Sequence, residues 1–103
     1  MRFSDSDDGH EIQLRVGDTF EVSLKETRTA GFSWSVKSAG APVCSIVADS
    51  FENRSATPGQ SGTHQWKFRV DAPGSATIEL IYARQWDKSA PARTYTLRVR
   101  AGE

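Results

Sequence analysis

A chain of 103 residues has room for one domain, and thirteen basic against thirteen acidic side chains leave no net charge to steer it toward nucleic acid or an anionic lipid surface. Hydrophobic residues make up only 37 %, but ten aromatic side chains add enough apolar area for a core at this size. The single cysteine, Cys44, excludes an intrachain disulfide and the spacings of zinc ligands.

Residues 1–9, rich in acids and serine and closed by a glycine, read as a loose lead-in to a single domain over residues 10–103. Met1-Arg-Phe-Ser-Asp contains no apolar run of signal-peptide length, and no later stretch is long enough to span a membrane. The expected compartment is therefore the cytoplasm, or the periplasm or exterior if a leader has been removed. Period-two alternation then dominates. Ile12, Leu14 and Val16 form one apolar row, and Phe20, Val22 and Leu24 repeat it after a turn at Gly17-Asp18. Phe32, Trp34 and Val36 follow. Residues 43–51 alternate less regularly and predict a strand with a bend. Trp66, Phe68 and Val70, then Ile78, Leu80 and Tyr82, then Tyr95, Leu97 and Val99 complete the set. Each row predicts a strand with one face on a core and one toward water.

The connectors carry turn chemistry: Gly40-Ala-Pro42, Thr57-Pro-Gly-Gln-Ser-Gly62, Ala72-Pro-Gly74 and Ser89-Ala-Pro91. No segment has a sustained helical period. Seven or eight short antiparallel strands in about 100 residues predict an all-β, immunoglobulin-like β-sandwich without a disulfide, its core built around Trp34 and other aromatics. A small barrel is the alternative that periodicity leaves open. Cys44, beside Val43 and near Ile46, reads as a small core residue. His64 reads as a surface residue bordering a loop. Arg84, Arg93, Arg98 and Arg100 read as solvated strand positions, and Asn53-Arg-Ser55 matches the glycosylation triplet, which needs a secretory context.

Three segments stand where strand patterns break: Glu26-Thr-Arg-Thr-Ala-Gly-Phe-Ser-Trp34, Gly59-Gln-Ser-Gly62 and Tyr82-Ala-Arg-Gln-Trp-Asp-Lys88. In order and spacing they resemble the three binding loops of the chagasin-type inhibitors of papain-like cysteine proteases, which carry Asn-Pro-Thr-Thr-Gly-Tyr/Phe, Gly-x-Gly-Gly and Arg-Pro-Trp/Phe. The resemblance runs from about residue 9 to residue 100. In the first segment Thr27, Arg28, Thr29 and Ala30 stand for Asn, Pro, Thr and Thr, while Gly31 and Phe32 match. In the second, Gly59 and Gly62 match, Gln60 fills the variable place and Ser61 replaces a glycine. In the third, Arg84 and Trp86 match and Gln85 replaces Pro.

The resemblance implies a reversible, non-covalent, competitive inhibitor whose three loops, joining strands B–C, D–E and F–G at one end of a sandwich, block a protease cleft. It implies a papain-like cysteine protease as partner, a monomer, and no cofactor, metal, nucleic acid or membrane insertion. Gly31 is expected to take a positive φ and Phe32 to anchor the loop base. Trp86 and Arg84 belong to the residue types that dominate interfaces. The rival is an immunoglobulin-like binding or adhesion module without inhibitory activity, since fold does not dictate function. An enzyme is not expected, because no motif surrounds Cys44, His10 or His64 that would make a thiol nucleophile.

Overall fold

The computed structural model describes residues 1–27, 31–53 and 61–102. Among them eight strands form two four-stranded sheets packed face to face: β1 (Arg2–Phe3), β2 (Glu11–Arg15), β3 (Thr19–Thr27), β4 (Phe32–Ala39), β5 (Cys44–Asn53), β6 (Ser61–Val70), β7 (Gly74–Arg84) and β8 (Arg93–Gly102). One sheet runs β1-β3-β6-β5 and the other β2-β8-β7-β4, so the chain forms a sandwich and not a barrel. Antiparallel pairing prevails, with two exceptions to the sequence expectation: β1 pairs with β3, and β2 with β8, in parallel.

The alternating rows face each other across the sheets. Register sets Phe20 opposite Phe68 and Val22 opposite Trp66 in one sheet, and Leu80 opposite Tyr95 and Ile78 opposite Leu97 in the other. All of these are buried, together with Leu24, Trp34, Val70, Val99 and Cys44. Phe20 and Phe68 stack at 5.1 Å, and Phe3 meets Phe20 edge-on at 6.0 Å. Each large side chain so buried contributes about 2 kcal/mol of transfer free energy. The irregular alternation expected over 43–51 has a cause. The β5–β6 register shifts between Ile46 and Ala48, leaving Val47 as an extra, exposed residue. Val16, expected in the β2 row, lies beyond it and is exposed, because Asp18 Oδ2 accepts the Arg15 N–H at 2.9 Å and starts the turn there.

The acidic stretch 1–9 carries definite contacts. Tyr95 Oη donates to Ser4 O at 3.0 Å, Thr96 N donates to Asp8 Oδ1 at 2.8 Å and Glu21 N donates to Met1 O at 3.0 Å. Burial of Tyr95, with Asp7, Asp8 and Asp5 close by, pushes its phenol far above the ordinary range.

Candidate functional site

Strand register brings three connectors to one end of the sandwich. Thr27 at the end of β3 lies opposite Ser61 at the start of β6, and Asn53 at the end of β5 opposite Gly62. In the other sheet Phe32 at the start of β4 lies opposite Arg84, and Arg93 at the start of β8 opposite Tyr82. Connectors 28–31, 54–60 and 85–92 therefore leave the same end. Of the residues singled out in the sequence, Arg28, Thr29, Ala30, Gly59 and Gln60 lie outside the described residues. Thr27, Ser61, Gly62, Phe32 and Arg84 belong to strand ends rather than loop interiors.

The first and third segments touch. Trp86 lies directly over Gly31, whose φ of 82° is the left-handed backbone that glycine tolerates best. A methyl group on Gly31 would collide with the indole ring. Gln85 N donates to Gly31 O at 3.4 Å, and Gln85 Nε2 donates to Ser33 Oγ at 3.3 Å. The residue that stands where the family pattern has proline thus ties the third segment to β4 through its side chain. The Arg84 guanidinium lies 4.9 Å from the Phe32 ring centre and 5.9 Å from that of Trp86. Phe32 stacks on Tyr82 at 5.4 Å and is half-buried, as a loop-base anchor should be. Asp87 N donates to Arg84 O at 3.0 Å, and Ser89 Oγ donates to Asp87 Oδ1 at 2.6 Å, closing a turn beyond Trp86. Trp86 is nonetheless 72 % exposed, and with Gly31, Phe32, Ser33 and Gln85 it borders a hollow of about 300 Å³.

Gly31→Ala should therefore cost about 1 kcal/mol in backbone strain and also lift Trp86 off its seat. A fall of about 5 °C in Tm, with altered indole fluorescence, is the expected readout.

Gly62 has a structural reason to be glycine. It is buried, and a Cβ there would strike the Glu52 carbonyl and the Phe51 ring, so close packing against β5 requires it. His64 is a correction. Expected at the surface, it is buried, because register places it opposite Leu24 in the inward row that continues through Trp66, Phe68 and Val70. Its ring stacks on Trp66 at 3.9 Å. His64 Nδ1 lies 3.0 Å from Glu26 Oε1, and Nε2 lies 2.5 Å from Asp49 Oδ1.

Glu26 is itself fully buried and accepts the Trp34 N–H at 2.6 Å, while Trp34 Nε1 donates to Lys25 O at 3.0 Å. These bonds join the two sheets at the end where the connectors emerge. Burial alone would lower the His64 pKa, but hydrogen bonds and charge from Glu26 and Asp49 outweigh it, and the net displacement is upward. The Tyr82 phenol is also held above its ordinary value, by burial and then by the Glu26 charge. One sign of this cluster is present in the sequence: the inward rows 20-22-24 and 66-68-70, each extended by one step, reach Glu26 and His64.

A rigid sandwich presenting clustered connectors and an exposed aromatic at one end defines a binding protein of immunoglobulin-like architecture. The family model for the chagasin family of peptidase inhibitors matches residues 13–99. The chain belongs to that family, one of inhibitors and not of enzymes. Amoebiasin-1 of Entamoeba histolytica is 26 % identical over 99 residues, covering 96 % of this chain and 97 % of the relative. The fold matches that of the cysteine protease inhibitor EhICP2 from Entamoeba histolytica with a TM-score of 0.84 at 20 % identity, covering 98 % of this chain and 94 % of that one. It also matches PbICP-C, in the structure of its complex with falcipain-2, with a TM-score of 0.69 at 15 % identity, covering 99 % of this chain and 90 % of that one.

Proposed function

We propose that this protein is a reversible, non-covalent, competitive inhibitor of papain-family cysteine proteases that closes the active-site cleft with the connectors at one end of its sandwich. The observation that carries this reading is the register that brings the ends of β3, β5 and β7 together, with Trp86 exposed on a hydrogen-bonded seat. Membership of an inhibitor family and the falcipain-2 complex of PbICP-C support it.

In this reading Thr27, Arg28, Thr29, Ala30, Gly31 and Phe32 form the segment that enters the cleft, with Thr29 and Ala30 beside the catalytic cysteine and histidine of the protease. Gly59, Gln60, Ser61 and Gly62 line one wall and Arg84, Gln85 and Trp86 the other. Substrate is excluded without any bond of the inhibitor being cut. Affinity comes from apolar area and directed polar groups held in place before binding, which limits the ordering cost.

Steady-state hydrolysis of a fluorogenic peptide by papain, with this protein titrated in, tests the proposal. Competitive inhibition is the expected result, and Thr29→Arg should weaken it at least about tenfold, equivalent to about 1.4 kcal/mol. Undiminished hydrolysis at micromolar concentrations of folded protein would reject inhibition and leave a binding module that uses the same end for another partner.

A further inference from the structure

His64 makes a demand that neutral imidazole cannot meet. Both ring nitrogens face carboxylate oxygens, Glu26 Oε1 at 3.0 Å and Asp49 Oδ1 at 2.5 Å. A carboxylate only accepts hydrogen bonds, and a neutral ring has a single N–H, so one contact would set lone pair against lone pair. With both carboxyls ionised, only the imidazolium, with two N–H donors, satisfies both. The three residues come from three neighbouring strands, and each lies close to where a connector begins or ends. Glu26 is the penultimate residue of β3, His64 the fourth residue of β6, and Asp49 lies in β5 one inward step from Phe51, which is opposite His64. Glu26 also accepts the N–H of Trp34, the third residue of β4 in the facing sheet.

We propose that Glu26, His64 and Asp49 form a charged clasp that positions the strand ends carrying connectors 28–31 and 54–60, and that this clasp holds only while His64 bears both protons. Inhibition would then be tighter in acidic than in alkaline solution; this part rests on the inhibitor reading above, whereas the clasp itself does not. Among the described residues, the following groups surround the imidazole ring. Glu26 faces it from β3 and Asp49 from β5, Tyr82 of β7 lies near Glu26, and Arg93 of β8 lies on the Trp34 ring, 5.6 Å from its centre. Phe51 and Trp66 cover the ring edge-on and face-on.

The direction of the pH effect follows from linkage. The folded ring holds its proton more tightly than the unfolded chain, whose value is the ordinary 6.5. The stabilisation is therefore complete below about 6.5 and is lost as pH rises through the raised folded value.

Three measurements on the intact protein test this. In ring-nitrogen NMR near pH 6, assigned by comparison with His64→Gln, both nitrogens of His64 should be protonated. The difference in Tm between wild type and His64→Gln should be largest in acid and should shrink as pH rises. The ratio of their inhibition constants for papain, in which the titration of the enzyme cancels, should change about tenfold between about pH 5.5 and about pH 8.5. Asp49→Asn guards against a variant that fails to fold, because Asp49 is half-exposed. The asparagine amide can donate to or accept from Nε2, so this variant should stay folded and lose most of the pH dependence. A single protonated nitrogen throughout the range, or the same pH profile in wild type and His64→Gln, would overturn the clasp. Absence of inhibition at every pH would overturn the inhibitor reading, while the NMR spectra and unfolding profiles still decide the clasp.

Discussion

Trp86→Ala should weaken inhibition of papain about 30-fold while leaving Tm within about 2 °C of wild type. An exposed tryptophan held in a fixed frame has the properties of an interface anchor, and truncating such anchors costs about 2 kcal/mol or more. At 1.4 kcal/mol per tenfold, that corresponds to a factor of about 30. The frame is visible: Gly31 lies beneath the indole, the Arg84 guanidinium is near its ring, and the Gln85 N–H bonds to Gly31 O. Because these contacts already limit the positions of the ring, little side-chain entropy is left to lose on binding. The ring is 72 % exposed, so its removal takes little from the core. Inhibition constants and thermal unfolding of the same two proteins check both halves. An unchanged inhibition constant would mean that Trp86 serves only its own loop.

His64→Ala should produce the reverse pattern, a large loss of stability of about 3 kcal/mol or more at neutral pH. It removes the imidazolium from a fully buried Glu26 and a stacked ring from Trp66. Taking one partner from a buried ion pair is costly because the remaining charge stays desolvated. Glu26→Gln keeps an acceptor for the Trp34 N–H and lowers the charge. In the double variant it should recover part of what His64→Ala loses. Thermal and urea unfolding of wild type, both single variants and the double variant form the cycle that measures this coupling. Additive losses would show that Glu26 and His64 act independently. For a domain of this size, a loss of 3 kcal/mol lowers Tm by well over 10 °C.

The architecture was legible because its cause is local. Alternation in β3, β4, β6, β7 and β8 reflects which face of each strand is dry, and that requirement is written in every second residue. Even the bend expected in residues 43–51 had a local signature, since the extra residue Val47 breaks the period. The family was legible through the resemblance of three segments to its pattern, and its model then matched residues 13–99. Parallel pairing of the first two strands was not legible. It depends on which sheet edge the segment before the core joins, a choice made between residues far apart in sequence.

By itself, then, the amino-acid sequence determined an all-β chain without a disulfide, its apolar rows and its family. Tertiary structure alone decided what His64, Gly62 and Gln85 do. His64 is buried because it lies in the inward row of β6, and its ionic partners come from β3 and β5, the strands that flank β6 in the sheet. Gly62 is confined by a side chain and a carbonyl of β5, and Gln85 reaches Ser33 across a sheet pairing. A polar residue in an alternating row looks the same in sequence whether solvent or a buried carboxylate receives it. The energies differ by several kcal/mol, and the difference lies in which distant strand end arrives beside it.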